Sequence, residues 1–474
     1  MKSFVLTVIL PIIGFWLILL FCGFPPPMID DLFFIGAAIN IAKNGDFVNP
    51  WLANWTERSI DRYYVQPPIH SYSLASWLSC FGSSPESILL FQCCCYIIFC
   101  VFTALILRKY GFSKVAILCI PVVYTTSMSI VGLRQDALAM AYLAIGLWFL
   151  TLNRGWKYFF GFCFLGVAWL SAPISIAYII PFTLGIIWVN YSQEKEKQFI
   201  KYFRKVIISW FAAFISVFSL FLWTINFEFF HFWDDFTWHA SLRVVPPEKI
   251  LPLWFFILSH GYNEIIYGSI YLLYLTCLFM LLFKLRKIPT HLKYFFLLTS
   301  VGLVLNLFLY PSSLRYYVNF FVALISVITV VEIPLQKLNK SLLAFLTIVV
   351  FCVYQIPAIV SLLAADIFPT HQDYTEIKSY VSKHPNQTYL IDNVAARFVF
   401  DYNLPKNAIA WHFSQNTAIF YPHSLEQKDP NTVWIIAAAK GAVTQGLPDY
   451  PKAELWGRKF NSIPQKPYEI IMIK

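Results

Sequence analysis

Residues 4–24 read FVLTVILPIIGFWLILLFCGF, and residues 25–31 continue as PPPMIDD. An apolar run of that length matches the roughly 20 residues an α-helix needs to cross a bilayer. It is long for the h-region of a cleavable leader, about 7–15 residues, and no small-residue cleavage site follows it. The run therefore reads as a retained signal anchor. Pro25, Pro26 and Pro27 stop the helix, because proline lacks the N–H that would continue it. Two adjacent carboxylates come next, Asp30 and Asp31. Charges beside a bilayer are costly and usually face a cavity or a working site. The plainer alternative is a helix N-terminus, which aspartate also favours.

The composition extends this reading to the whole chain. Of 474 residues, 58% are hydrophobic and only 13% are charged, with a mean hydropathy of +0.62. A soluble domain carries about 25% charged residues, so a membrane protein with water-exposed parts is expected. Many aromatic residues fall near the ends of apolar segments, as in interfacial belts. The net charge of +10 is not gathered into a dense basic run, which argues against nucleic acid as a partner. All ten cysteines lie in or beside apolar segments, where cysteine behaves as a small hydrophobe. Neither a disulfide framework nor zinc spacing is present.

Apolar segments of spanning character lie near 4–24, 87–107, 115–131, 136–152, 158–171, 174–190, 206–226, 264–283, 293–310, 316–333 and 341–362. The fold expected is mainly α, a polytopic transmembrane helical bundle of about eleven spans. With the N-terminus cytoplasmic, 17 Lys and Arg fall on the cytoplasmic side and 7 in the opposite loops before the tail. The positive-inside rule supports that orientation, and an odd number of spans then places the C-terminus outside. Two outer loops are long, 25–86 and 227–263, and long loops in a compact protein commonly carry function. Within the first, 32–42 and 69–81 are amphipathic and suit a position in the membrane interface. Residues 1–365 form the membrane domain. Residues 366–474 read as a small extracytoplasmic α/β domain: helices near 373–384 and 394–402, strands at 388–392, 433–438 and 468–473. Asp392, at a strand end, reads as a turn or cap residue.

The first outer loop carries an ordered set of motifs. Asp30-Asp31 is followed by Ala37-Ala38 on a helix, then Asn44-Gly45-Asp46-Phe47-Val48-Asn49-Pro50, then Tyr63-Tyr64-Val65-Gln66-Pro67-Pro68-Ile69-His70, and Phe81-Gly82 before the second span. This order resembles the first periplasmic loop of GT-C glycosyltransferases of the family 39 type, the group of protein O-mannosyltransferases and lipid A aminoarabinose transferases. Their pattern is an acidic pair, an amphipathic helix, a G-D-x-x-x-P turn, a Y-x-x-x-P-P-L segment and a terminal F-G. The match covers about 55 residues, and the GT-C-like helix count extends it loosely over the chain. The resemblance implies an integral-membrane glycosyltransferase. It would move a sugar from a polyprenyl-phosphate carrier to a lipid, protein or glycan acceptor at the outer face.

That chemistry needs a carboxylate to take the acceptor hydroxyl proton and cationic donors on the leaving phosphate. The resemblance puts Asp30 and Asp31 in the first role, with Asp30 at the family's first acid. Arg134 and Asp136, ahead of the fourth span, and Arg315, ahead of the tenth, are candidates for phosphate and acceptor. The alternatives are a local ion pair for Arg134 and Asp136, and snorkelling for Arg315. Tyr64, Gln66 and His70 belong to the matched segment and are candidate substrate-binding residues. The aminoarabinose transferases carry a lysine where this chain has Gln66, so Arg58, Arg62, Arg243 or Arg315 would have to supply the charge. His70, His231 and His239 with Asp234-Asp235 match no standard metal spacing, so no cofactor is expected, and a divalent metal held by these residues is the lesser alternative. Two rival functions remain open, a lipid-linked glycan flippase or transporter, and a surface-polysaccharide polymerase or ligase. Internal symmetry and Gly/Pro-broken helix pairs, which mark many transporters, are not evident in the sequence.

Overall fold

A computed structural model of the chain describes residues 10, 13–14, 31–53, 56–112, 117, 120, 133–152, 154–192, 198–241, 372–391, 393–410, 431–439, 453–455, 458–460 and 468–473. Most of these residues are helical. In chain order the longer helices are α1 (Asp31–Asn44), α2 (Ile69–Phe81), α3 (Pro85–Lys109), α4 (Asp136–Thr151), α5 (Lys157–Ser171), α6 (Ile176–Ser192), α7 (Phe199–Thr224) and α8 (Phe229–Ser241). Among the described residues, three helical stretches are long and apolar enough to cross a membrane: Pro85–Lys109, Pro173–Ser192 and Phe199–Thr224. Two shorter apolar helices, α4 and α5, lie between them in sequence. The spans expected near 4–24, 115–131, 264–283, 293–310, 316–333 and 341–362 fall wholly or almost wholly outside the described residues.

Local chemistry explains the ends of α3. Ser84 accepts a hydrogen bond on its side chain from the Ser87 amide at 3.2 Å, and Pro85 occupies the first helical turn. Glu86 stands at the positive end of the helix dipole, and Arg108 and Lys109 at the negative end. Gly111 follows in the left-handed region with φ 79°, where glycine meets no Cβ penalty.

The helices pack through small residues and buried hydroxyls. α4 lies against α5 with Gly146 and Gly161 facing each other. A Cβ on Gly146 would stand 2.9 Å from the Gly161 carbonyl, and one on Gly161 would press into Leu150. Such pairs bring backbones close where no hydrophobic drive separates lipid from protein. Tyr158 on α5 donates to the Tyr202 hydroxyl on α7 at 2.7 Å. Tyr202 in turn donates to the Ile187 carbonyl on α6 at 3.0 Å. Much of α7 nonetheless faces outward, with Ile207, Trp210, Phe211, Phe214 and Trp223 exposed.

α1 differs from the expected interfacial helix. Every residue from Asp31 to Ile39 is buried, and α1 packs on α2 and on the 3-10 turn Pro50–Leu52. The reason is that 32–39 is apolar on all faces, and such a helix belongs inside a protein. The following loop closes over it. Asn49 Nδ2 donates to the Leu32 carbonyl at 3.0 Å and the Tyr63 hydroxyl to the Phe33 carbonyl at 2.9 Å. α2 keeps a buried face (Ile69, His70, Ser71, Leu74, Ala75, Leu78) and an exposed end at Phe81.

The C-terminal residues add α9 (Gln372–Lys383), β1 (Thr388–Ile391), α10 (Asn393–Phe400), β2 (Ala408–Ala410), β3 (Thr432–Ala439), β4 (Ala453–Leu455), β5 (Arg458–Phe460) and β6 (Tyr468–Ile473). Four strands form one sheet in the order β2-β1-β3-β6. β1 runs parallel to both β2 and β3, and β6 closes the edge antiparallel to β3. β4 and β5 pair with each other as a separate antiparallel ribbon. Tyr389, Ile391, Ala395, Ala396, Val399 and Ile435 are fully buried between strand and helix.

Candidate functional site

Asp31 opens α1 and is 1% exposed. Its Oδ1 lies 3.4 Å from the Leu133 amide, and its Oδ2 accepts from the Tyr402 hydroxyl at 2.9 Å. The first partner belongs to the turn that leads into α4. The second follows α10, 371 positions along the chain. A buried carboxylate is tolerable when its oxygens are hydrogen-bonded, and both oxygens here have a donor nearby. Asp31, the second acid of the pair picked out by sequence, is thus the meeting point of three separate segments. Its neighbour Asp30 lies outside the described residues.

The turn before α4 brings Arg134 and Asp136 to the same place. Arg134 Nε donates to Asp136 Oδ2 at 2.8 Å, and both side chains are largely buried. The guanidinium also sits 5.0 Å over the ring of Phe34, one turn along α1 from Asp31. The local ion pair at the helix start is therefore present, and α1 and the 133–136 turn hold it beside the acidic residue.

His70 is buried between Phe34 of α1 and Phe91 of α3, each ring edge-on at 6.2 and 6.3 Å. Burial pushes its pKa down to about 3, so the imidazole is neutral at ordinary pH. Gln66 is buried, and its Nε2 has no hydrogen-bond partner in the structure. A buried donor without a partner is uncommon, and a ligand oxygen is one way to satisfy it.

Other candidate residues gather in a second cluster between residues 58–65 and the 225–239 segment. Asp235 on α8 is fully buried. It accepts from Arg58 at 2.7 Å and from Arg62 at 2.9 Å. Arg58 also reaches Asp234 at 3.0 Å and lies 5.1 Å over the Trp238 ring. The hydrogen bond that Arg62 donates to Asp235 raises the guanidinium pKa and keeps it charged. Tyr64 donates to the Ile225 carbonyl at 3.0 Å, and burial and Glu228 push its hydroxyl up. His239 Nδ1 lies 2.7 Å from the Val65 carbonyl. Arg58 and Arg62 thus face the acids of α8, with about a third of each side chain still exposed. Arg243 and Arg315 lie outside the described residues, as does Asp392.

Sequence reasoning did not find Tyr402. It sits in a polar segment with no motif, and its one local signal is conformational. α10 ends with Asp401 and Tyr402 both left-handed, at φ 51° and 60°. Their amides close onto the Arg397 and Ala396 carbonyls at 3.1 and 2.8 Å. Among the described residues, no group of three His, Cys, Asp or Glu is arranged to hold a metal ion. No protein-family model matches this chain, and no curated protein matches it significantly.

Proposed function

We propose that this chain is an integral-membrane glycosyltransferase that uses a polyprenyl-phosphate sugar at the outer membrane face. The observation that carries the reading is the buried Asp31 carboxylate held against the Arg134–Asp136 turn. Asp31 meets the Leu133 amide and the next residue, Arg134, lies over Phe34 of α1, so adjoining segments bring a carboxylate and a guanidinium, the two groups that sugar transfer needs. The ordered first-loop motifs supply the resemblance to GT-C glycosyltransferases, and the three apolar helices suit a bilayer.

In this mechanism the acceptor hydroxyl oxygen attacks the anomeric carbon. A carboxylate of the Asp30–Asp31 pair takes the hydroxyl proton. The bond from the anomeric carbon to the phosphate oxygen breaks, and the polyprenyl phosphate leaves with the electron pair. Arg134, with Arg315 as the second candidate, meets the charge that gathers on that phosphate. The resemblance offers Gln66, Tyr64 and His70 as further substrate-binding residues, and the buried Gln66 Nε2 has no hydrogen-bond partner in the structure. His70 acts as a neutral, shape-defining ring, since burial keeps it unprotonated.

The test is transfer by the purified full chain, supplied with a panel of polyprenyl-phosphate sugars and read by mass spectrometry. Asp30→Asn and Asp31→Asn are compared with the parent. At least one should cut turnover roughly 100-fold or more, the usual scale for a general base. Arg134→Ala should weaken donor use, and Arg134→Lys should restore it only in part, because lysine cannot make the two-pronged contact. Full activity in the double Asn variant would sink the reading. A reporter active only outside the cytoplasm, fused after Lys474, should be active if the orientation is right.

A further inference from the structure

We infer that Tyr402 is a positioning residue for Asp31, so that the C-terminal segment completes the acidic site instead of merely covering it. The inference rests on the glycosyltransferase reading for its kinetic consequence, and on geometry alone for the contact.

Three observations on the Tyr402 side converge. Its hydroxyl meets Asp31 Oδ2 at 2.9 Å with both residues buried, so water does not compete for the bond. The residue adopts φ 60°, a left-handed backbone that is uncommon for an aromatic side chain and persists only where its surroundings enforce it. The adjoining residue also touches the membrane part, since Ser83 donates to Asn403 Oδ1 at 3.1 Å. Two adjacent residues of the tail are thus seated on the N-terminal part of the chain, Tyr402 on the Asp31 carboxylate of α1 and Asn403 on the turn between α2 and α3.

The chemistry follows from the donor. A phenol donating to a carboxylate favours its ionised form and fixes the direction of its second oxygen. Burial and the neighbouring Asp31 hold the Tyr402 hydroxyl well above its ordinary pKa, so it keeps its proton as donor. The buried Arg397 on α10 partly opposes that rise. The Leu133 amide is the other donor at Asp31, and Arg134, next along that turn, pairs with Asp136 and lies over Phe34 of α1. His70 packs against the same Phe34 from α2 and is neutral. Tyr402 thus sets which way Asp31 points and at what pH it becomes a base.

The experiment compares Tyr402→Phe, Tyr402→Asn and the matched control Tyr389→Phe in the full chain. Tyr389 donates to the His384 carbonyl inside the same segment and does not reach Asp31. Phe removes only the hydroxyl. Asn suits the left-handed backbone but is too short to reach Asp31, which separates loss of the bond from loss of the fold. The first readout needs no activity: hydrogen exchange at the start of α1 and at Leu133. Both Tyr402 variants should speed exchange there, and Tyr389→Phe should not. The second readout is the pH profile of sugar transfer. Both Tyr402 variants should lower kcat on the order of 10-fold at unchanged KM. The acid limb should move to higher pH by about one unit, because the ionised carboxylate has lost a donor. A merely structural role would lower the active fraction without moving the limb. Unchanged exchange at both places, or an unmoved acid limb in an active enzyme, overturns the inference while leaving the glycosyltransferase reading intact. If the parent transfers no sugar, that reading falls and the exchange result alone decides the inference.

Discussion

Arg58 and Asp235 are 177 positions apart and form a hydrogen-bonded ion pair at 2.7 Å, with the carboxylate fully buried and the guanidinium about one-third exposed. The same carboxylate holds Arg62 on its other oxygen. One acid on α8 therefore holds both flanks of the short helix Arg58–Asp61, through its first residue Arg58 and its C-cap Arg62. Asp235→Ala should separate the two segments. The arginines can turn to water, so the cost should fall nearer 1–3 kcal/mol than the ~3–5 kcal/mol of a fully buried pair. Thermal unfolding in detergent would register it, and Asp234→Ala, at an exposed acid, should shift the midpoint much less. Equal shifts from both would show that the buried carboxylate has no special role.

The α4–α5 contact predicts a sharp difference between glycines. Gly161→Ala would drive a methyl into Leu150 and toward the Gly146 carbonyl, which stands at 3.2 Å from the new Cβ. Overpacking of this kind costs about 1–3 kcal/mol. Gly155, in the turn between the same helices, has open space around it, and Gly155→Ala should be near neutral. The measurement is the detergent-melting midpoint of each variant, and a neutral Gly161→Ala would mean the helices are not in close contact.

His70 makes stability depend on pH in a defined direction. Its folded pKa is depressed to about 3 from the ordinary 6.5, so the unfolded chain binds the proton first as pH falls. The stability it confers is present above pH 6.5 and is lost progressively as pH drops toward 3. The slope has a ceiling of about 1.4 kcal/mol per pH unit. His70→Asn should flatten the decline between about pH 6.5 and pH 5, above the range where carboxylates dominate. Unfolding midpoints taken across that window decide the matter, and parallel curves for parent and variant would place His70 in contact with water.

Much of the secondary structure was legible because its signals are local. The span expected at 87–107 is the helix Pro85–Lys109, with its serine cap and proline in the first turn. Those expected at 136–152, 158–171 and 174–190 are α4, α5 and α6, each within two residues at either end. The helix expected at 206–226 begins earlier, at Phe199, because Lys201, Arg204 and Lys205 lower the hydropathy without breaking the helix. The tail's main strands were readable from apolar runs between turn residues. β2 was not, because Ala408-Ile409-Ala410 is too short to show a period, and it exists only through its pairing with β1. The helix α8, within the segment 227–263 read from sequence as a long loop, was also missed. Its aromatic and acidic residues have weak helix propensity, and the strongest ordering contacts of Asp235 come from Arg58 and Arg62.

The sequence by itself determined the apolar helices that the structure describes, the breaks between neighbouring ones, the acidic pair beyond the first apolar run, and the candidate status of Asp30, Asp31, Arg134 and Asp136. All of these rest on composition or on residues a few positions apart. Only the tertiary structure decided that Asp31 is buried, that Leu133 and Tyr402 converge on its two oxygens, and that Arg58 and Arg62 answer to Asp235. The physical reason is separation along the chain. A hydrogen bond acts over about 3 Å, and no periodicity or propensity links residues 371 positions apart until the intervening helices and sheet have packed.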